Sequence, residues 1–219
     1  MIESVRVIGR GRVGSAVVSR LTERGVQLRE DRADIVLLCV PDRTIAEVAK
    51  SVEMGSWIAH TSGATPLAAL DPHVRRFGLH PLQTFTLARG ADQLDGAYAA
   101  VTAEADEGRA VGVELARMLG LEPFELADNK RTLYHAGAAI ASNYLVTLYQ
   151  VATQLFELCD APPAGLIPLM RRTIDNGFEL TGPISRGDWS TVDAHLEAIR
   201  SERPELEPMY RALAEVTAA

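Results

Sequence analysis

The sequence predicts an α/β fold: a parallel sheet flanked by helices, followed by an all-helical C-terminal domain. Three observations carry this prediction. A β-branched run, Val5 to Ile8, enters a glycine-punctuated turn, and Ser15 to Leu21 leaves it with helical spacing. The apolar run Ile35 to Val40, bounded by Asp34 and by Pro41-Asp42, reads as a strand buried on both faces, as in parallel sheets. Strand signals then end at Leu126 and helical ones continue to Ala219, so the chain divides into domains 1–127 and 128–219.

The turn is Gly9-Arg10-Gly11-Arg12-Val13-Gly14, a G-x-G-x-x-G between strand and helix. Gly9 permits a tight bend, Gly11 lets backbone approach a pyrophosphate, and Gly14 lets the helix pack closely on the strand. The amide groups and partial positive charge at the new helix's start suit a phosphate. Arg10 and Arg12 either brace its oxygens or are solvated surface charges. These six residues, Gly9 to Gly14, are the candidate cofactor-binding turn of a Rossmann-type sheet, with NADP or NAD as the expected cofactor.

The next stretch, residues 26–34, is unusually short. Val26 to Asp31 reads as a strand, and after Arg32 and Ala33 the next strand begins. Adjacent parallel strands need a crossover of about a dozen residues or more, which the interval from Glu30 to Ile35 does not supply. Glu30 or Asp31 falls about 20 residues beyond the turn, where a ribose-binding carboxylate is expected. The helix and strand that normally follow are missing, so the prediction is a shortened Rossmann-type sheet.

The α/β rhythm then resumes. Thr44 to Val52 has helical spacing with Asp42 or Thr44 as cap, and Trp57 to Thr61 is a strand running into Ser62-Gly63. Pro66 to Leu70 is a short helix, Arg76 to His80 a strand, and Ala97 to Ala103 another. Glu107 to Leu119 is an amphipathic helix stopped by Gly120, and Pro123 to Leu126 an edge strand. Beyond it, Asp128 is read as the cap of one long helix reaching Leu158. Further helices span about Leu166–Leu180, Ser190–Ser201 (capped by Asp188) and Pro204–Val216, separated at Pro162-Pro163 and Gly182-Pro183.

Composition excludes several classes. A net charge of −7 without a basic run argues against nucleic acid, and 5% aromatic residues argue against a base-stacking platform. No apolar run approaches membrane-spanning length. The two cysteines, Cys39 and Cys159, are read as free buried thiols, which together with a start lacking a signal sequence points to the cytoplasm. The five histidines lack metal-ligand spacing, so no metal is expected.

The motifs His60-Thr61-Ser62-Gly63, His80-Pro81-Leu82-Gln83-Thr84-Phe85, Tyr134-His135, Ala141-Ser142-Asn143-Tyr144, Gly182-Pro183-Ile184 and Arg186-Gly187-Asp188 occur in this order. In that combination the chain resembles the 6-phosphogluconate dehydrogenase-like reductases, which include ketopantoate and pyrroline-5-carboxylate reductases. It is most similar to a bacterial branch with a helical domain of unknown function after the Rossmann fold. The resemblance implies that Val40-Pro41-Asp42 and the turn holding Ser62 lie against the nicotinamide-ribose. It also implies that a lysine and asparagines on the first helix of the second domain handle the substrate; here His135, Ala139 and Asn143 take an i, i+4, i+8 row.

The catalytic candidates are therefore His135, because imidazole as a side-chain type can donate and accept a proton around physiological pH, and Asn143, to orient the substrate. Both also have structural readings, as interdomain contacts. His80, at a strand's carboxyl end, and Gln83 are candidates for the substrate cleft, with Thr84 beside them; Lys130 reads as a solvated charge. The expected function is an NAD(P)-dependent oxidoreductase reducing a small carbonyl or imine compound, as a homodimer built through the apolar helix around Leu145 to Ala152. The alternative is a degenerate, non-catalytic Rossmann protein binding a smaller nucleotide or anion.

Overall fold

The computed structural model describes residues 2–219. Seven strands form one sheet: β1 Ser4–Ile8, β2 Gln27–Leu28, β3 Ile35–Leu38, β4 Trp57–His60, β5 Arg76–Pro81, β6 Tyr98–Thr102 and β7 Glu122–Glu125, in the order β2-β1-β3-β4-β5-β6-β7. All neighbours are parallel except β5 and β6. Side chains alternate between faces. On one face Val5, Leu37, Ala59, Phe77 and Leu79 pack beneath helices α1 (Arg12–Glu23) and α3 (Asp106–Met118). On the other, Val36, Leu38 and Ile58 pack beneath α2 (Ile45–Lys50) and the 3-10 turn Leu67–Leu70. The α/β class and Rossmann-type sheet read from the sequence are the observed architecture.

The expected strand over Val26–Asp31 shrinks to Gln27–Leu28, and this explains the missing crossover. β2 and β3 are not neighbours; both pair with β1, from opposite sides. Leu28 and Ile35 both stand opposite Val5, so β2 ends at the level where β3 begins. The link between them runs along the sheet's amino edge and needs no helix to return it. Asp34 pins that link, since its Oδ2 accepts from the Glu3 and Ser4 amides (2.9 Å each) and the Ser4 hydroxyl (3.1 Å).

Two expected caps have other work. Thr44 donates its hydroxyl to Pro41's carbonyl (2.7 Å), and Asp128 Oδ1 accepts from the Leu67 amide (3.0 Å). Asp188 does cap its helix, accepting from the Thr191 amide at 3.2 Å. Gly120 takes φ +85° just past α3, the left-handed stop that glycine permits. Cys39 is half-buried, but Cys159 is exposed, against expectation, because α5 ends there at the surface.

The single long helix expected from Asp128 to Leu158 is instead four pieces. A 3-10 turn, Asp128–Lys130, leads into α4 (Arg131–Ala139), a π-helical turn (Ile140–Tyr144) and α5 (Leu145–Leu158). The chain falls into two compact units, Met1–Ser142 and Asn143–Ala219. In the second unit, α6 (Leu166–Asp175) stops five residues earlier than expected, where Gly177 and Phe178 turn to positive φ. α7 (Trp189–Glu202) and α8 (Glu207–Ala218) enclose a small core of Val192, Leu196 and Ala214.

Candidate active site

The Gly9–Gly14 turn lies at the carboxyl end of β1, where the chain goes first to β2 on one side and later to β3 on the other. Ligands of open α/β sheets bind at such a switch point. Gly9 has φ +104°, and a Cβ there would strike the Cys39 carbonyl. A Cβ on Gly14 would strike Gly9's own carbonyl, so only glycine lets α1 sit this close to the turn. Gly11 differs: a Cβ on it would meet nothing within 4 Å. It is the N-cap of α1 and makes no side-chain cap bond, while the first helical amides, from Arg12, Val13 and Gly14, have no intrahelical acceptor. Open space before an uncapped helix start, flanked by the exposed Arg10 and Arg12, fits a phosphate group.

The adenosine side is built differently. Glu30 and Asp31 lie beyond β2 on the link to β3, and line a cavity of about 750 Å³ with Ser56 and Trp57, at the sheet's amino edge. Neither stands at the carboxyl ends beside the glycine turn, so neither carboxylate is placed where the ribose contact is expected. The cause is that β2 leaves the sheet after two residues.

The turns after β3 and β4 are tied together. The Ser62 hydroxyl donates to Asp42 Oδ2 (2.7 Å) and accepts from the Thr65 amide (3.0 Å), which fixes Ser62 against the Pro41-Asp42 corner. Val40 is half-buried and Pro41 exposed at that corner.

Strand register builds the other half of the site. Leu38, His60, Gly78 and Thr102 stand in one row across β3 to β6, on the face shared with α2. Gly78 contributes no side chain, and the Arg131 guanidinium occupies the vacated space; a Cβ on Gly78 would lie 2.6 Å from Arg131 Nη1. Arg131 is 1% exposed. It donates from Nη1 to Thr102 Oγ1 (2.8 Å) and from Nη2 to the Ser62 carbonyl, with no ion-pair partner among the described residues. Burial lowers its pKa, against the pull of Asp128, Tyr134 and Asp42. Beside it His60 is fully buried, and neither ring nitrogen has a hydrogen-bond partner among the described residues. Burial, reinforced by the Arg131 charge, pushes the His60 pKa down to about 3.

Arg131, Tyr134 and His135 lie on neighbouring turns of α4 and reach the same strands. His80, within β5, has Nδ1 2.8 Å from Tyr134 Oη. Its ring meets that of Tyr134 edge-on (centroids 5.5 Å apart) and that of His135 likewise (5.9 Å). Both imidazoles stand over Gly63: a Cβ there would come within 2.5 Å of His135 Cδ2 and 2.9 Å of His80 Nε2. Burial, then the neighbouring His135 and Arg131, push His80 down to about 4, while burial raises Tyr134 to about 12. Around neutral pH this places a neutral imidazole and a neutral phenol in contact, a pair suited to hydrogen-bonding a polar substrate and handling a proton.

The remaining sequence candidates are placed as follows. Gln83 bonds to the Gln93 carbonyl and the Thr84 amide, so it braces its own loop. Lys130 is exposed. Asn143 lies in the π-helical turn, and the α-helical spacing behind the row His135, Ala139, Asn143 runs only to Ala139. Arg131, Tyr134 and Gly78 are not among the site residues read from the sequence, and Gly63 enters there only as part of the turn after β4. Arg131 and Tyr134 carry a signal, since positions 131, 134 and 135 share a helical face; the role of Gly78 is legible only from strand pairing. Among the described residues no group of three or more His, Cys, Asp or Glu side chains is arranged to hold a metal ion.

A phosphate-fitting turn and an imidazole pair at the carboxyl ends of one mainly parallel sheet define a Rossmann-like protein. The chain belongs to the family described as Domain of unknown function (DUF2520), which matches residues 97–217, more than half of its length. Among solved structures it is similar to protein BF3122 of Bacteroides fragilis, provisionally named an NADP oxidoreductase (TM-score 0.81, 21% identity, 99% of this chain and 98% of that one). It is also similar to protein TM1727 of Thermotoga maritima (TM-score 0.75, 22% identity, 98% and 100%). A third is a semialdehyde dehydrogenase NAD-binding protein of Cupriavidus necator in complex with calcium and NAD (TM-score 0.64, 17% identity, 97% and 99%). At these identities the likeness is one of fold. Comparison with curated proteins gives no match.

Proposed function

We propose that the protein is an NAD(P)-dependent oxidoreductase of the 6-phosphogluconate dehydrogenase-like type, reducing a small carbonyl or imine compound. The observation that carries this reading is the convergence, at the carboxyl ends of β1, β3, β4 and β5, of the Gly9–Gly14 turn, the Asp42–Ser62 corner and the His80–Tyr134–His135 cluster. The names of structural neighbours that are NADP or NAD proteins support it. Gly9 to Gly14 would hold the phosphates, with Val40, Pro41 and Ser62 beside the nicotinamide-ribose. A bound nicotinamide would supply hydride. His135, exposed on α4, donates the proton that completes the reduction, while His80 and Tyr134 orient the acceptor. Asn143 is proposed to orient the substrate.

Titration with NADPH and NADH, read by energy transfer from Trp57 and Trp189, tests this. Saturable binding is expected, and no binding at millimolar cofactor overturns it. His135→Ala should then abolish turnover and leave cofactor affinity near wild type. The two-residue β2 favours a second reading, a non-catalytic protein that keeps a smaller nucleotide or anion. Binding of inorganic phosphate or a mononucleotide, without binding of either dinucleotide, would select it.

A further inference from the structure

We propose that Tyr134 locks His80 as the Nε2–H tautomer, making His80 a neutral hydrogen-bond donor over Gly63 aimed at a substrate oxygen. The assignment rests on the reading above only for what the donor serves; the lock itself follows from the chemistry of the Tyr134–His80 contact.

The 2.8 Å contact between Tyr134 Oη and His80 Nδ1 holds one proton, which belongs either to the phenol or to the ring. If His80 supplied it, the acceptor would be the weakly basic phenol oxygen, and the half-buried Tyr134 hydroxyl would be left to turn away from the ring. A phenolic O–H is the stronger donor and the lone pair of an imidazole nitrogen the stronger acceptor, so Tyr134 supplies it and the ring proton moves to Nε2. A neutral imidazole has a single N–H, and which nitrogen carries it is set by the bond the other one makes.

His80 is held neutral from several sides. Burial disfavours its charged form most, His135 and Arg131 on α4 act in the same direction, and the carboxylate of Asp42 opposes them without prevailing. Nε2 has no protein partner among the described residues and lies against Gly63, where the absence of a side chain leaves the His80 and His135 edges side by side. A donor without a partner, beside the turn after β4, suits a group that presents a lone pair. That selects a carbonyl oxygen, which gains negative charge as it is reduced, over a protonated imine, which brings an N–H of its own. His80 is the polarising group in this arrangement, Tyr134 a positioning residue that acts through it, and His135 the separate proton source.

The test is a two-bond proton–nitrogen correlation spectrum of the full-length, ¹⁵N-histidine-labelled protein, without cofactor. His80 is expected as the Nε2–H tautomer, unchanged from pH 5.5 to pH 8. Tyr134→Phe should convert it to a mixture of tautomers while leaving the signals of His73 and His195 in place. A wild-type His80 protonated on Nδ1, or titrating in that range, overturns the proposal without recourse to any variant. So does a Tyr134→Phe spectrum in which His80 keeps the pure Nε2–H form. Because no cofactor is present, the result is separate from dinucleotide binding: failure of that titration sinks the oxidoreductase reading, and the wrong tautomer sinks this one.

Discussion

Gly63 shows how narrow the site is at the scale of one residue. Its missing side chain is what allows two imidazole edges to meet above it. Gly63→Ala should push His80 and His135 apart and cost about 1–3 kcal/mol as a local overpacking. Urea unfolding reads the cost; a variant as stable as wild type would mean that the rings yield freely. His60 makes a second prediction, through pH. Its pKa is about 3 in the folded chain against an ordinary 6.5, so the unfolded chain binds the proton first as pH falls. Its contribution to stability is therefore complete above pH 6.5 and declines towards pH 3. At 1.36 kcal/mol per unit, the loss by pH 5 is about 2 kcal/mol. His60→Leu should remove that share, so its stability should fall less between pH 7 and pH 5 than that of wild type. Equal slopes in the two proteins would rule His60 out as the source. His80 acts in the same direction over a window ending near pH 4.

Among the elements, the short β2 depends on what pins its far end. Asp34 Oδ2 gathers three donors from Glu3 and Ser4, holding the starts of β1 and β3 side by side so that six residues suffice to pass from β2 to β3. Asp34→Ala would leave the buried donors of Ser4 unmet, at about 1–3 kcal/mol. Thermal unfolding should show the loss, with Asp34→Asn intermediate because an amide oxygen still accepts. A loss no larger than that of an exposed control such as Asp31→Ala would mean that the link is held by its backbone alone. α4 presents a different balance. Arg131 brings a charge into the interior without an ion pair among the described residues, and what it returns is position, since it ties the helix bearing Tyr134 and His135 to Ser62 and Thr102.

For the whole molecule, the second unit poses the question of what covers α5. Its sequence is strongly apolar, yet none of its residues is buried, and Leu145, Val146 and Leu148 are all exposed. The core of that unit is small and belongs to α7 and α8. Exposed apolar faces of this kind mark interaction surfaces, and a homodimer through α5 is proposed. Sedimentation equilibrium should give twice the 23.7 kDa chain mass, and Val146→Glu with Leu148→Glu should shift it to monomer. A wild-type protein that is monomeric at the highest soluble concentration would refute this. No helix among the described residues is long and apolar enough to cross a membrane.

Read alone, the sequence carries the α/β class, the glycine turn and the places of most elements, because these rest on local chemistry: the period of apolar side chains, the conformations glycine allows, and helix caps such as Asp188. It also showed that residues 26–34 are too short for an ordinary half-sheet. Why that shortness is tolerated is not legible there, since the level at which Leu28 and Ile35 flank Val5 is set by strand pairing across the sheet. The same holds for the candidate site. His80 and His135 were legible as titratable residues in suggestive places. Their meeting over Gly63, the burial of Arg131 over Gly78, the isolation of His60 and the π-turn that receives Asn143 depend on register and packing between residues distant in the chain. A single sequence records no distances between such residues, and the chemistry of this site is made of those distances.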